Sequence, residues 1–243
     1  MAYYLQVSFG SNGPLVAWLQ RGCELPDGLR VAEYARPGEK RHSFAAFACD
    51  RDVSSLTLSL YGSGFSMEIE HPTRGGGPAV MSLFEITQEW LLQHGRALIK
   101  HFSIHGVRHG FACEFAEHAH RNLFKYDFWG TGQMSSTMLG GDLDRYIPGL
   151  YWLNYFSHEY TASWSLDMEF LCRMCGGETE RTEHGTILQL YDAPCRWTEK
   201  RLAIDEFIAG DSRFFSLARV ERPGRMTFSE FAVFLTNLSR RWP

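Results

Sequence analysis

The sequence predicts an α+β fold, a mostly antiparallel sheet with helices packed on it, and three stretches carry that expectation. Leu56, Leu58 and Leu60 alternate with Ser55, Thr57 and Ser59, and after Gly62-Ser63 the alternation resumes through Phe65, Met67 and Ile69. Period-2 alternation on both sides of a short turn is the pattern of an antiparallel hairpin with one apolar face. Leu150 to Phe156 contains a single polar residue, Asn154. An aromatic-rich apolar run of that length behind the Pro148-Gly149 turn reads as a strand buried on both faces. Near the C-terminus, Phe228, Phe231, Leu235, Leu238 and Trp242 fall on one helical face, and Thr227 with Glu230 supplies a capping box.

Taken in order, Tyr3, Leu5, Val7 and Phe9 alternate with Tyr4, Gln6 and Ser8 as in a half-buried strand. Ser11-Asn-Gly-Pro14 turns the chain, and Leu15 to Leu19 fits a short helix ending near Gly22. Arg30 to Tyr34 and Phe44 to Cys49 are strand candidates on either side of the polar loop Arg36 to Arg41. In the hairpin, a two-residue Gly62-Ser63 turn of type II′ sets Leu60 opposite Phe65, Leu58 opposite Met67 and Leu56 opposite Ile69. Gly75 to Gly77 is a connector, since no Lys-Ser/Thr follows to make it a phosphate loop. Ser82 with Glu85 reads as a capping box opening a helix that carries Phe84, Leu91, Leu98 and Phe102.

Ile104 to Gly132 has no decisive period, and Gln133 to Asp144 reads as a long surface loop. Asp167 to Cys172 is compatible with a strand or a short helix, broken by Gly176-Gly177. Thr186 to Tyr191 is a strand closed by Asp192-Ala-Pro194, and a helix from Thr198 places Ala203, Ile204, Phe207 and Ile208 on one side before Gly210. Neither a repeat nor a linker is visible. The expected organisation is one α+β domain over residues 1–243, with two lobes, a strand-rich first third and a helix-ended last third, as the alternative.

The net charge of -4 disfavours a general nucleic-acid binder, which should be basic. The N-terminus reads as a strand rather than a signal peptide, and no run reaches the ~18 apolar residues of a membrane span, so a cytoplasmic protein is expected. Six cysteines, Cys23, Cys49, Cys113, Cys172, Cys175 and Cys195, are expected as thiols in that compartment.

Three patterns invite a metal reading. His101, His105, His109, His118 and His120 could serve a metal-dependent hydrolase, but Phe102 stands where the His-Glu-x-x-His pattern needs its general base. Cys172-Arg-Met-Cys175 is one half of a zinc motif, with His184 and Cys195 downstream as further donors, and a small buried hydrophobe is the commoner role of such a cysteine. Asp142-Leu-Asp144 beside Gly140-Gly141 fits a solvated turn better than a cation site. No nucleophile elbow or dinucleotide fingerprint is present, so the expectation is a protein that is not an enzyme and carries no cofactor. One acidic stretch, Asp167, Glu169, Glu178, Glu180 and Glu183, stands against only Arg173 and Arg181. It is either a solvated loop or a partner-binding surface that steers a basic protein.

Tyr146-Ile-Pro-Gly-Leu-Tyr-Trp-Leu-Asn-Tyr-Phe156, with the Thr186 to Tyr191 strand and the Asp192-Ala-Pro194 turn, resembles the immunity protein 52 family of bacterial polymorphic-toxin systems. The likeness centres on residues 140–200 and rests on core residues. It implies an α+β immunity protein, such as those of type VI secretion, that binds a cognate nuclease toxin of restriction-endonuclease-like type in the producing bacterium's cytoplasm. It implies no catalytic residues, no direct contact with nucleic acid or membrane, and no particular toxin-binding surface. Occlusion of the nuclease cleft by carboxylates in place of phosphates and a block elsewhere on the toxin both remain open.

Overall fold

The computed structural model describes residues 2–46, 57–70, 79–126, 135–138, 147, 149–162, 168–210, 229 and 233. Among them the fold is α+β. Strands are β1 (Tyr3–Phe9), β2 (Val31–Ala35), β3 (His42–Ser43), β4 (Leu58–Gly62), β5 (Phe65–Glu70), β6 (Val80–Ile86), β7 (Val107–Glu114), β8 (Leu123–Tyr126), β9 (Ser135–Met138), β10 (Leu153–Ser157), β11 (Glu178–Arg181) and β12 (Gly185–Gln189). Helices are α1 (Asn12–Gln20), α2 (Gln88–Ser103), α3 (Phe115–Asn122), α4 (His158–Ala162), α5 (Met168–Cys175) and α6 (Trp197–Gly210). The chain divides into two compact units, Met1–Phe115 with Tyr151–Lys200, and Ala116–Leu150 with Arg201–Pro243.

The first unit holds an antiparallel sheet in the order β11-β12-β10-β7-β1-β6-β5-β4-β2-β3. Its pairings place Leu5, Val7, Leu58, Leu60, Met67, Ile69, Met81, Leu83, Ala112, Leu153, Tyr155 and Ile187 on one face, all buried. Helices α1 and α2 cover that face: Phe9 of β1, Trp18 of α1 and Phe102 of α2 meet edge to face, at 6.4 and 5.4 Å from the Phe102 ring. Each such side chain stabilises by roughly 1.5–3 kcal/mol on burial, so this layer is the core. The opposite face is apolar from β12 to β6: Leu188 and Phe156 are buried there, Tyr4, Phe84, Phe111, Cys113 and Tyr151 cluster, and Phe111 stacks on Tyr151 at 4.2 Å. Towards β5 it turns to exposed Glu68 and Glu70.

Strand β1 is therefore central and buried on both faces, not half-buried as its alternation suggested, because β6 and β7 flank it and Tyr4 and Ser8 also lie inside. The hairpin forms with its apolar residues on one face, but two residues out of the expected register: Leu60 faces Met67, Leu58 faces Ile69 and Gly62 faces Phe65. A shift of two preserves the face of every side chain. The turn residues are Ser63 and Gly64, with φ +81° at Gly64, so the turn is not the expected type II′, which needs its glycine first. Gly62 is needed for space, since a Cβ there would overlap the Phe65 ring.

Ser82 to Ile86, expected to open a helix, belongs to strand β6, which pairs with both β1 and β5. Ser82 and Glu85 are therefore no capping box. Helix α2 starts after Thr87, whose hydroxyl accepts the Trp90 N–H at 3.1 Å. Phe84 and Glu85 together face Tyr4, a bulge absorbed by Glu85 at φ +57°. Asn12 to Pro14, read as a turn, is the first turn of α1, and Phe44–Ala46, read as a strand, is a 3-10 turn behind the two-residue β3. Within the stretch read as a surface loop, Ser135–Met138 pairs with β8 in the second unit. The helix expected over residues 228–242, Gly75 to Gly77, Asp142 and Asp144 lie outside the described residues, save that Ser229 and Val233 are helical.

The apolar run before Ser157 behaves as expected for a core segment. Leu150 to Phe156 is buried, with β10 beginning at Leu153 between β7 and β12. Its one polar residue closes a local ring: Asn154 Oδ1 accepts the Tyr151 N–H at 2.9 Å and Asn154 Nδ2 donates to the Tyr151 carbonyl at 2.7 Å. A buried backbone bend is satisfied by a side chain rather than by a ladder. In the second unit, Arg121 joins Glu117 at 3.2 Å and Asp205 at 2.7 Å, and the same Asp205 meets His120 Nε2 at 2.9 Å, tying α3 to α6.

Candidate partner-binding surface

The acidic stretch folds into a helix and an edge strand. Helix α5 packs on the face of β11 and β12 opposite α2, with Cys172 and Cys175 buried and the Cys172 thiol pKa pushed up by burial. Gly176, at φ +71°, and Gly177 then reverse the chain; a Cβ at Gly177 would overlap the Gln189 carbonyl. Strand β11 follows, and Glu183-His184 closes a two-residue turn into β12, with the Thr182 N–H donating to the Gly185 carbonyl at 2.8 Å.

Along β11 the side chains alternate. Glu178 and Glu180 stand opposite Gln189 and Ile187 on the α2 face, and Thr179 and Arg181 stand on the α5 face. Helix α2 supplies the countercharges on its side: Arg96 lies 3.7 Å from Glu178 and 3.8 Å from Glu180, and Lys100 pairs with Glu180. Arg96 also donates to Gln189 at 3.1 Å. On the other side Glu169 pairs with Arg181 and, at 4.0 Å, with Arg173. Glu169, Glu178 and Glu180 are thus matched by cations of their own chain, Glu183 is exposed in the turn, and Asp167 lies outside the described residues. Such exposed pairs contribute little to stability, about 0–1 kcal/mol each, but they cancel most of the local negative field.

Sequence reasoning counted only Arg173 and Arg181 against the acids because Arg96 and Lys100 are about eighty residues away in the chain. It also passed over Phe170 and Met174, one turn apart on α5 and 47% and 53% exposed. Their i, i+4 spacing marks them as neighbours once the segment is taken as a helix.

The histidines separate. His101 and His105 sit 4.9 Å apart, centre to centre, near the end of α2, where Arg21 reaches His105 Nδ1 at 3.1 Å; burial lowers both pKa values. His109 is enclosed in the sheet of the first unit, and its pKa is held down to about 3 by burial. His118 and His120 belong to the second unit, and burial takes His118 down to about 4. Among the described residues no three His, Cys, Asp or Glu side chains converge on a metal position, and the cysteines form no disulfide. No helix among them is long and apolar enough to cross a membrane.

One cleft of about 490 Å³ opens in the first unit between the start of α1, the α2–β7 turn and α4, lined by Ser11, Arg108, Tyr155, Ser157, Glu159 and His184 among others. Tyr155 there donates its hydroxyl to the His184 carbonyl at 3.0 Å, and burial pushes its pKa up to about 12. The cleft offers a phenol bonded to the His184 carbonyl and one charge of each sign, Arg108 and Glu159.

No family model matches the chain, and no curated protein matches it. Among solved structures it is similar to the Pseudomonas aeruginosa T6SS protein PA0821, with a TM-score of 0.53 at 12% identity, covering 100% of this chain and 90% of that one. At that identity the likeness is one of fold.

Proposed function

We propose that the chain is an immunity protein of a type VI secretion system, which binds a cognate nuclease effector of restriction-endonuclease-like type and blocks it by occupying its surface. The observation that carries this reading is the full-length fold likeness to a T6SS protein. The resemblance of Tyr146 to Phe156 and Thr186 to Pro194 to the immunity protein 52 family points the same way from the sequence. The described residues among them build β10, β12 and their surroundings, so the resemblance speaks to the scaffold. The hydrolase alternative draws no support from the histidines, which are spread over both units and are bonded or enclosed where they lie.

Inhibition in this reading is by fit. Carboxylates tied to Arg96, Lys100, Arg173 and Arg181 make a poor imitation of a phosphate chain, so occlusion by a shaped surface is favoured over mimicry. An interface of about 1,600 Å² gives nanomolar or tighter binding when it holds good anchors. The test is co-expression with the effector encoded beside this chain. Restored growth and joint purification are expected; continued killing with no complex would sink the proposal.

A further inference from the structure

Three histidines of α2 and the turn after it meet one segment, residues 21–30, which links α1 to β2. The Arg21 guanidinium lies 3.1 Å from His105 Nδ1, the His101 ring bonds the Glu24 carbonyl, and His94 Nδ1 lies 3.4 Å from the Asp27 carboxylate. The Trp18 indole N–H also donates to the Glu24 carbonyl, at 2.8 Å. Within the segment the backbone is left-handed at Gly22, Cys23, Asp27 and Gly28, with φ between +54° and +87°. Cys23 and Asp27 carry side chains that disfavour this conformation, so contacts with the rest of the unit must hold it. The segment is a strap pinned to α2 by imidazoles.

The pin at His105 works in one protonation state only. A guanidinium has donors and no acceptor, so Nδ1 accepts, and the ring is neutral with its proton on Nε2. A second proton would set donor against donor and cation against cation. At His101, Nε2 is buried with no partner among the described residues, so a proton there finds no acceptor. The two rings lie 4.9 Å apart, and a charge on one opposes a charge on the other. Arg21 and Glu24 are the charged groups of the strap that face both rings; burial outweighs the Glu24 carboxylate and keeps both pKa values below the ordinary 6.5. His94 differs, because the Asp27 carboxylate faces it and would match its charge.

We infer that residues 21–30 form an acid-released strap: protonation of His105 and His101 frees the end held at Arg21 and Glu24, while the His94–Asp27 contact keeps the other end in place. The open strap takes up protons that the closed strap refuses. Closure is therefore at full strength above pH 6.5 and is lost as pH falls below it. Release carries Cys23, buried in the closed strap, towards solvent. The device is independent of any partner the chain binds.

Amide hydrogen exchange of the full chain at pH 7.5 and pH 5.5, corrected for the intrinsic rate at each pH, tests this. In the wild type, residues 21–30 should lose about fivefold or more in protection at the lower pH, since each histidine shifts the opening equilibrium by up to roughly tenfold. The extra exchange should be insensitive to low urea, the mark of local opening. The double variant His101→Asn with His105→Asn keeps a donor for the Glu24 carbonyl and an acceptor for Arg21 but does not titrate, and its protection should change by less than about twofold. Equal losses in the wild type and the double variant would overturn the strap, as would a wild type with unchanged protection or extra exchange that rises with urea as global unfolding does. If the double variant is already open at pH 7.5, Arg21→Met decides. It should exchange faster than wild type at pH 7.5 and respond less to acid, and protection equal to wild type at both pH values would overturn the inference.

Discussion

Acidification should cost the first unit a definable amount of stability through His109. Its ring is 1% exposed, Nε2 has no hydrogen-bond partner among the described residues, and the rings of Phe111, Phe156 and Tyr160 surround it at 5.8, 5.2 and 5.9 Å. Burial holds its pKa near 3 against an ordinary 6.5. The unfolded chain takes up a proton that the folded chain refuses, so this stability is fully present above pH 6.5 and is lost as pH falls towards 3. At ~1.4 kcal/mol per pH unit, going from pH 7 to pH 5 removes about 2 kcal/mol. Urea unfolding at both pH values, for wild type and for His109→Phe, isolates the effect, because His118 and the carboxylates contribute to both proteins and cancel. The wild type should lose about 2 kcal/mol more than the variant. Equal losses would mean that the ring accepts a proton in the folded state, and the buried, neutral assignment would be refuted.

Asn154→Leu should destabilise by about 2–4 kcal/mol, since it strands the Tyr151 N–H and carbonyl inside the core; chemical denaturation measures this, and a loss below about 0.5 kcal/mol would mean that water or a backbone shift replaces both bonds. Gly185→Ala should cost roughly 1–3 kcal/mol or more, because its Cβ would overlap the Phe156 carbonyl and lie 2.8 Å from Ser157 Cα, both backbone atoms. Thermal melting checks it, and an unchanged melting temperature would show that β10 and β12 can part to admit the methyl group.

Local pattern made some of this fold legible and concealed the rest for identifiable reasons. The hairpin's alternation gave the correct face at once, but a register shift of two leaves every side chain on that face, so the pattern alone could not choose it. Central strand β7, Val-Arg-His-Gly-Phe-Ala-Cys-Glu, shows no period because it is covered on both faces and must hold Gly110, where a Cβ would come within 3.0 Å of Val7. Strand β6 was concealed by a chance Ser82–Glu85 spacing and by apolar residues running on into α2, so the helix seemed to begin too early. At the candidate site the acids were visible and their neutralisation was not. Arg96 and Lys100 reach them only because the sheet order brings β12 and β11 beside α2.

The central claim is that this chain works by binding one effector tightly, and the dissociation constant of the purified pair tests it most directly. Calorimetry or surface-based kinetics with the inactivated effector should give a 1:1 complex with a Kd of about 10⁻⁹ M or lower, as a standard-sized interface with good anchors allows. Absence of a complex at micromolar concentrations, with both proteins folded, would contradict it.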